Sequence, residues 1–172
     1  MRSGVSPAAT IEPVVPADAE AIAALAGEIW RAHYADIISG AQIEYMLQQR
    51  YDPALIRAEL AGGDIGWDKL VVDGVIVGYA AYYAGVQAVE MKLDKLYVHH
   101  DHQHRGYGGL LIERAAAAAR ARGCRTVMLA VNKSNAKAIA AYKKYGFRIR
   151  EAIVQDIGGG FVMDDYVMVR DV

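Results

Sequence analysis

The chain has 172 residues and a formal net charge of −1, which fits a single domain with a sizeable core. Because the charge is close to neutral, neither a nucleic acid nor a membrane surface is expected as a partner. Cys124 is the only cysteine, so an internal disulfide is excluded and a buried thiol in a reducing cytoplasm is favoured. The sequence shows neither a signal peptide nor an uncharged apolar run of about 18 residues. We therefore expect a cytoplasmic α/β protein.

The first part of the chain is predicted to be mainly helical. Residues 1–9 are expected to form a flexible tail, and residues 10–172 a single domain that opens with a short strand at 11–15. Asp18 precedes apolar residues at helical spacing and is the predicted cap of the first helix. Ser39 begins a second helix with a capping box. A third, shorter helix lies between an Asp-Pro pair and a Gly-Gly pair.

Strands dominate the next part of the sequence. Asp73-Gly74 lies between two apolar runs and predicts a tight hairpin. A third strand is predicted at 87–98, followed by a glycine-rich turn and a helix at 108–122. The segment 125–131 reads as a buried strand, and another helix begins at Ser134 or Asn135. This order alternates strands and helices after an antiparallel meander.

The end of the chain predicts a closing β-hairpin, formed by residues 149–157 and 161–169 around three glycines. The whole order predicts an α/β fold of the α+β kind, with a mixed, mostly antiparallel central sheet flanked by helices. The closing hairpin also offers an edge strand, which makes a homodimer an expected assembly.

The segment from Gln103 to Gly109 carries the strongest functional signal. It follows an apolar strand and precedes a helix. The first amide N–H groups of a helix have no partner within the helix, and together with the helix dipole they bind phosphate groups. Glycines let the phosphate approach the backbone closely. The turn therefore predicts a site for the phosphates of a nucleotide or a coenzyme.

Two common phosphate sites fit this turn poorly. A dinucleotide fold needs a third glycine where Leu111 stands, and an acidic residue after the next strand, which instead ends in Val131-Asn132. The sequence also has no Gly-Lys-Ser/Thr P-loop motif. A glycine turn in the middle of the chain therefore indicates another class of protein.

Two motifs in the right order resemble the signature of the GNAT superfamily of N-acetyltransferases. Gln103-x-x-Gly106-x-Gly108 is similar to its acetyl-CoA motif, and the run from Asn135 to Phe147 resembles its second half. The likeness is close from Leu93 to Phe147, and it departs at His100, where family members usually carry proline. It implies a single GNAT domain that moves an acetyl group from acetyl-CoA to a primary amine by direct attack, through a tetrahedral intermediate. The alternative is an acyl-CoA-binding module of the same fold without turnover.

The resemblance also implies where the coenzyme binds. In the family, the backbone amides of the turn hold the pyrophosphate, and the end of the third strand faces the pantetheine arm and offers an N–H to the oxyanion. The positions carried over are Leu96, Tyr97, Val98, Gln103, His104, Arg105, Gly106, Tyr107, Gly108, Gly109 and Asn135. For Asn135, a helix cap is an equally compatible role.

The catalytic residues implied by the resemblance are an acid and a base. Tyr142 resembles the family's tyrosine that protonates the leaving thiolate, with Tyr145 as the alternative on the same helix. Asp94 is a candidate base that would act through water, because some polyamine acetyltransferases carry a glutamate there. A carboxylate paired with Lys92 or Lys95 is equally compatible with its position. An amine can also lose its proton to solvent without a dedicated base.

The acceptor pocket is expected between the first helix and the closing hairpin. His33 and Tyr34 end that helix, and Asp164 and Asp165 lie in the hairpin. Neighbouring residues on a strand face opposite ways, so only one of the two aspartates faces the cleft. A carboxylate there would attract a cationic amine. We expect a small amine, with a polyamine as the candidate, and protein N-termini, amino acids and aminoglycosides stay open.

Four of the five histidines lie between His99 and His104. Such a density is compatible with metal binding. Ligands on one short loop rarely converge without a partner elsewhere, however, and this loop already has a predicted role at the coenzyme. We therefore expect no metal.

Overall fold

The computed structural model describes residues 8–84 and 89–172. Within these residues, seven strands form one sheet in the order β1-β2-β3-β4-β5-β7-β6. The strands are β1 (Ala9–Pro13), β2 (Gly66–Val72), β3 (Val75–Ala84), β4 (Glu90–Val98), β5 (Thr126–Asn132), β6 (Arg148–Gly158) and β7 (Phe161–Asp171). The α-helices are α1 (Ala19–His33), α2 (Gly40–Tyr51), α3 (Pro53–Gly62), α4 (Tyr107–Ala121) and α5 (Ala136–Lys144).

The predicted fold class is confirmed. All neighbouring strands of the described sheet pair antiparallel except β4 and β5, which are parallel. Helices α1 to α3 pack on one face of the sheet, and α4 packs on the other with part of α5. In the described part of the chain, no helix combines the length and the apolar character needed to cross a bilayer.

The start of the chain differs from the prediction in two places. Strand β1 begins at Ala9, so it includes the last residue of the expected tail. Residues 1–7 of that tail lie outside the described residues. So does Gln87, the predicted start of the third strand. The side chain of Asp18 does not cap α1. Its Oδ2 accepts hydrogen bonds from the Val15 N–H at 2.9 Å and from Lys69 Nζ at 2.7 Å. It therefore ties the entry of α1 to strand β2.

The capping box predicted for α2 is half confirmed. Ser39 Oγ accepts the N–H of Gln42 at 3.1 Å, as an N-cap does. The Gln42 side chain, however, turns away from the cap and donates to the Val162 carbonyl at 3.0 Å. This bond holds α2 against the closing hairpin.

Both predicted hairpins form. Asp73 and Gly74 have positive φ angles of 52° and 78°, as a type I′ turn requires. The three residues Gly158 to Gly160 also have positive φ angles, which glycine adopts without a steric penalty. The chain therefore reverses at the two places that its turn residues indicate.

Two hydrophobic cores lie on opposite faces of the sheet. Trp30 and Tyr79 are fully buried between the sheet and α1 to α3. Leu111 and Met91 are fully buried between the sheet and α4. Cys124 belongs to this second core, so the prediction of a buried thiol is confirmed.

Strands β4 and β5 pair only at one end. Residues 90–92 of β4 pair with residues 126–128 of β5. Within the described residues, the pairing of these two strands does not extend beyond these three positions. Beyond that point β4 continues beside β3 as far as Val98, and β5 continues beside β7 as far as Asn132. A gap therefore opens in the sheet between the carboxyl ends of β4 and β5.

A β-bulge in β4 changes which side chains share a face. Lys95 pairs with Ala81 and Leu93 pairs with Tyr82, so Asp94 is an extra residue without a partner position. At such a bulge two successive side chains point to one side of the sheet. Lys95 Nζ indeed lies 2.8 Å from Asp94 Oδ2, a contact that regular alternation would prevent.

Replacing Gly109 by alanine is expected to destabilise the protein. A Cβ at this position, in the first turn of α4, would lie 2.7 Å from the Tyr145 ring. The overlap should lower the free energy of unfolding by about 1–3 kcal/mol in urea titrations. Gly108→Ala is the matched control, because nothing lies within 4 Å of its Cβ position. Equal stability of the two variants would contradict the close packing of α4 and α5.

Candidate active site

A cavity of about 880 Å³ lies at the gap between β4 and β5. It is lined from both faces of the sheet, because the gap connects them. Side chains from the α1–α3 face include Trp30, Tyr34, Arg50, Tyr97 and Met163. Those from the α4 face include Leu96, Val98, Tyr107, Ile112 and Tyr142. Two molecules can therefore enter from opposite sides and meet within the sheet.

The glycine-rich turn borders the cavity and has a defined shape. His104 and Gly106 have positive φ angles of 64° and 79°, and Gly106 is the N-cap of α4. Gln103 Nε2 donates to the Val98 carbonyl at 3.2 Å, and its Oε1 accepts from Lys137 Nζ at 2.7 Å. The glutamine of the motif thus links the end of β4 to helix α5.

The turn fits a pyrophosphate group. Gly108 lines the cavity, and the position of its missing Cβ faces open space directly over the first turn of α4. Amide N–H groups in that turn have no partner within the helix. His102 Nδ1, which also lies at the cavity, is buried without a hydrogen-bond partner among the described residues. Free space, unpaired amides and an unpaired ring nitrogen together suit an anionic ligand with several oxygen atoms.

Two of the predicted coenzyme residues do not line the cavity. Arg105 has an exposed side chain that is not part of the cavity lining. Gly109 is covered by the ring of Tyr145. The predicted contacts of these two residues concern their backbone amides, so they stay predictions.

The end of β4 and the start of α5 form the walls beside the turn. Leu96, Tyr97 and Val98 all line the cavity, as does Asn135. Asn135 Oδ1 accepts the N–H of Ala138 at 3.3 Å, so its role as a helix cap is confirmed. Its predicted contact with the coenzyme arm stays a prediction.

The two candidate tyrosines, Tyr142 in α5 and Tyr145 directly after it, make different contacts. Tyr142 lines the cavity, and its ring packs edge-on against Phe147 with centroids 5.7 Å apart. Burial, together with the nearby Tyr34, raises the pKa of the Tyr142 phenol above its ordinary value. It therefore stays protonated at neutral pH. Tyr145 also lines the cavity, and its ring packs over the backbone of Gly109.

Asp94 lies in the cavity wall among three cations. Its carboxylate is 3.2 Å from Arg50 Nη2, 2.8 Å from Lys95 Nζ and 3.8 Å from Lys92 Nζ. Burial acts to raise the pKa of Asp94, but the attraction of these cations outweighs it and holds the pKa at about 2. Such a carboxylate is charged yet weakly basic, so the structure argues against the predicted role of Asp94 as general base.

Glu90 shares the strand of Asp94 but lies apart from the cavity lining. Its carboxylate binds Arg150 Nη1 at 2.7 Å and accepts a hydrogen bond from Thr126 Oγ1 at 3.1 Å. These contacts fasten the paired end of β4 to β5 and β6.

The residues predicted at the end of α1 line the acceptor side of the cavity. The Tyr34 hydroxyl is 2.9 Å from the Tyr97 hydroxyl, and the His33 ring packs edge-on against Tyr34 at 4.8 Å. Burial lowers the pKa of His33, so its imidazole is neutral at pH 7. Tyr34, Tyr97 and His33 therefore form an aromatic part of the cavity wall.

The two aspartates of the closing hairpin face opposite ways, as strand geometry predicts. Asp165 is buried and lines the cavity, and its Oδ1 has no hydrogen-bond partner among the described residues. Burial and the neighbouring Asp164 raise its pKa. Asp164 is exposed and pairs with Lys133 Nζ at 2.5 Å. Alternation along β7 leaves Asp164 outside the cavity lining, and its predicted contact with the substrate stays a prediction.

Sequence reasoning missed several polar residues of the cavity. Arg50 and Lys92 line its acceptor side, and Lys137 lies beside the turn. Lys137 follows Asn135 by two residues, so its position within the second motif could have indicated that it lies at the cavity. Nothing in the sequence connects Arg50 to Asp94, which lies 44 residues further along the chain.

The histidine cluster is compact but internally bonded. Ligand atoms of His99, His100 and Asp101 lie within 4.8 Å of one another. His99 Nδ1 already accepts the Asp101 N–H at 3.1 Å, and His99 Nε2 lies 3.1 Å from Glu28 Oε2. The expectation that this loop binds no metal stays a prediction.

Comparison with known proteins identifies the family. The model of the acetyltransferase (GNAT) family matches residues 25–147, more than half of the chain. The chain belongs to the GNAT acetyltransferase family. It is accordingly an acetyltransferase, and acetyl-CoA is its cosubstrate.

Two curated relatives and one solved structure resemble the whole domain. Spermidine N(1)-acetyltransferase of Thermoplasma acidophilum is 24% identical over 86% of this chain and 90% of its own. Streptothricin acetyltransferase of Streptomyces lavendulae is 28% identical over 77% of each chain. The crystal structure of PaiA N-acetyltransferase from Thermoplasma acidophilum, in complex with coenzyme A, has a TM-score of 0.81, 22% identity and coverage of 96% of this chain and 99% of that one. This last likeness confirms the GNAT fold.

Replacing Asp94 by asparagine is expected to destabilise the protein in a pH-dependent way. Because the folded pKa of Asp94 is depressed, its charge stabilises the fold above the unfolded value of about 4, and the effect is lost as the pH falls towards 2. Asp94→Asn should lower the free energy of unfolding by about 2 kcal/mol at pH 7, measured by urea titration.

The matched control for this variant is Asp164→Asn, which removes an exposed carboxylate and should change stability little. The difference between Asp94→Asn and the wild type should shrink below about pH 4. A deficit that does not change with pH would show that the charge of Asp94 is not its source.

Proposed function

We propose that the protein transfers the acetyl group of acetyl-CoA to the primary amine of a small molecule, by direct attack of that amine. The observation that carries this proposal is the gap between β4 and β5. It places Tyr142, from the coenzyme side, and Asp165, from the acceptor side, in one cavity. The relatives named for spermidine and streptothricin support an amine as the acceptor.

The coenzyme would be held by the turn and the end of β4. Its pyrophosphate would accept hydrogen bonds from the amides that open α4, over the space left by Gly108. Lys137 and His102 lie beside this turn and would add charge or a further hydrogen bond. When bound in this way, acetyl-CoA supplies the activated acetyl thioester.

The residues around the gap would then serve the transfer. Asp165 would bind and orient the amine, since its buried carboxylate has an unused acceptor atom. A backbone N–H at the end of β4, on the side where β5 has separated, would stabilise the oxyanion. Tyr142 would donate its phenolic proton to the leaving sulfur atom. The amine would lose its proton to water, because Asp94 is too weak a base.

The Tyr142→Phe variant tests the proposed acid. It should lower kcat about 10²-fold or more with little change in the KM for acetyl-CoA, because only the proton donor is removed. The assay is thiol release from acetyl-CoA with a panel of small primary amines. Tyr145→Phe is the matched control, since it keeps the ring over Gly109 and should keep its kcat.

Two outcomes of this assay would count against the proposal. Loss of activity in Tyr145→Phe with retention in Tyr142→Phe would assign the acid to the other tyrosine. Coenzyme binding without thiol release on any primary amine would contradict amine acetylation itself.

The predicted location and assembly rest on other features. A cytoplasmic location and a small-molecule partner, rather than nucleic acid, are supported by the buried thiol of Cys124 and the net charge of −1. The expected homodimer stays a prediction. Its basis is β6, which forms one edge of the described sheet and is exposed along most of its length.

A further inference from the structure

The acceptor side of the cavity is lined by cations as well as by carboxylates. Three cations, Arg50, Lys92 and Lys95, surround the single carboxylate of Asp94. Arg50 and Lys92 also line the cavity, whereas Lys95 is buried against the rings of Tyr51 and Trp67. Glu59 also attracts Lys95, so the cations that a ligand in the cavity can reach are Arg50 and Lys92.

Arg50 has hydrogen-bonding capacity to spare. Its contacts with Asp94, a 3.0 Å hydrogen bond to the carbonyl and a 3.2 Å ion pair with the carboxylate, both use Nη2. A guanidinium has five N–H donors on three nitrogen atoms. Its side chain is 28% exposed, so the other donors can reach a ligand in the cavity. A planar fork of this kind suits a carboxylate or a similar anion.

Lys92 cannot serve the phosphates of the coenzyme. It lies six residues before Val98, where β4 meets the glycine turn. At about 3.3 Å per residue, the strand separates the two positions by about 20 Å. Its Nζ is 3.8 Å from Asp94 Oδ1 and its side chain is 31% exposed. Its charge therefore faces the acceptor side.

Asp165 is a second carboxylate on the acceptor side of the cavity. It pairs in register with Asn132, at the open end of β5, where the gap is. Burial and Asp164 raise its pKa, whereas Arg50 and Lys92 lower it, so all three groups lie within electrostatic reach of one another. The acceptor side thus presents one unpaired carboxylate and, across the cavity, two cations.

We propose that the acceptor is an amine that also carries a carboxylate or a comparable anionic group, as an amino acid does. Its ammonium group binds Asp165 beside the gap, and its anionic group binds Arg50 and Lys92. This inference rests on the proposed acetyl transfer and narrows its substrate class. A polyamine carries several positive charges. Arg50 and Lys92 would repel it, and Asp165 alone would offer it a carboxylate without a hydrogen-bonding partner among the described residues.

Matched pairs of acceptors test the proposal, each pair differing by one carboxylate: lysine with cadaverine, ornithine with putrescine, and tyrosine with tyramine. We expect the best acceptor of the panel to be a carboxylate-bearing member, with kcat/KM at least tenfold above that of its partner at low ionic strength. A preference below tenfold, or for the decarboxylated amines, overturns the inference and leaves amine acetylation standing.

The Lys92→Gln variant tests the site itself. It should raise the KM of the preferred carboxylate-bearing acceptor about tenfold, without raising that of the decarboxylated partner, and Lys92→Arg should restore the wild-type value. Lys143→Gln is the matched control, because Lys143 is an exposed lysine of α5 outside the cavity lining. An equal rise in KM for both members of the pair would show a purely structural role and overturn the assignment.

A binding measurement separates this inference from the proposed function. Calorimetric titration of the protein in complex with coenzyme A needs no turnover. Tighter binding of the carboxylate-bearing members, weakened in Lys92→Gln, supports the inference even if the acceptor is acetylated slowly. Tighter binding of the decarboxylated amines overturns it. Absence of thiol release with every amine, by contrast, contradicts the proposed function.

Discussion

The separation of β4 from β5 is the constraint on which the active site depends. Each strand stays paired on its outer side, β4 with β3 and β5 with β7, while the two strands pair with each other only over their first few residues. The gap leaves backbone groups of both strands without sheet partners, and such groups need a ligand or water. It also joins the two faces of the sheet, each with its own hydrophobic core. Coenzyme and acceptor can therefore approach one point from opposite sides.

The bulge at Asp94 determines the electrostatics of the acceptor side. It turns Asp94 and Lys95 to the same face, where Arg50 from α2 completes a buried group of charges. Aromatic rings surround this group: Arg50 lies over Trp30, and Lys95 over Trp67. Burying a charge costs free energy unless the charge is paired. The ion pairs of Asp94 with Arg50 and Lys95 therefore stay formed, and its carboxylate is not available to a ligand. Asp165, by contrast, is left without a cation in hydrogen-bonding contact among the described residues, and so it is available to a ligand.

Much of the fold could be predicted from local sequence signals. The Asp-Gly and triple-glycine turns, the Ser39 cap and the glycine turn before α4 act over a few residues, and each forms as predicted. The family resemblance also located the side chains at the end of β4 and Tyr142, which do line the cavity.

Other features of the site depend on contacts that are distant in sequence. The sequence indicated Lys92 or Lys95 as a partner of Asp94, but the bulge in β4 shows only in its register against β3, so the joint contact with both lysines and Arg50 could not be predicted, and neither could the low pKa of Asp94. Alternation predicts that one of Asp164 and Asp165 faces the cavity, but only the pairing of β7 with β5 decides which. Tyr142 lies in α5 and Tyr145 directly after it, and both line the cavity; only the packing of Tyr145 over Gly109, a contact distant in sequence, separates their contacts.

The most direct test of the account is a titration of the ¹⁵N-labelled protein with coenzyme A, followed by the backbone amide resonances. We expect the largest shifts at residues 106–109 and 96–98, on the two sides of the gap, with little change in the β2–β3 hairpin. Large shifts outside the gap, with those two segments unchanged, would contradict the claim that the separation of β4 from β5 creates the active site.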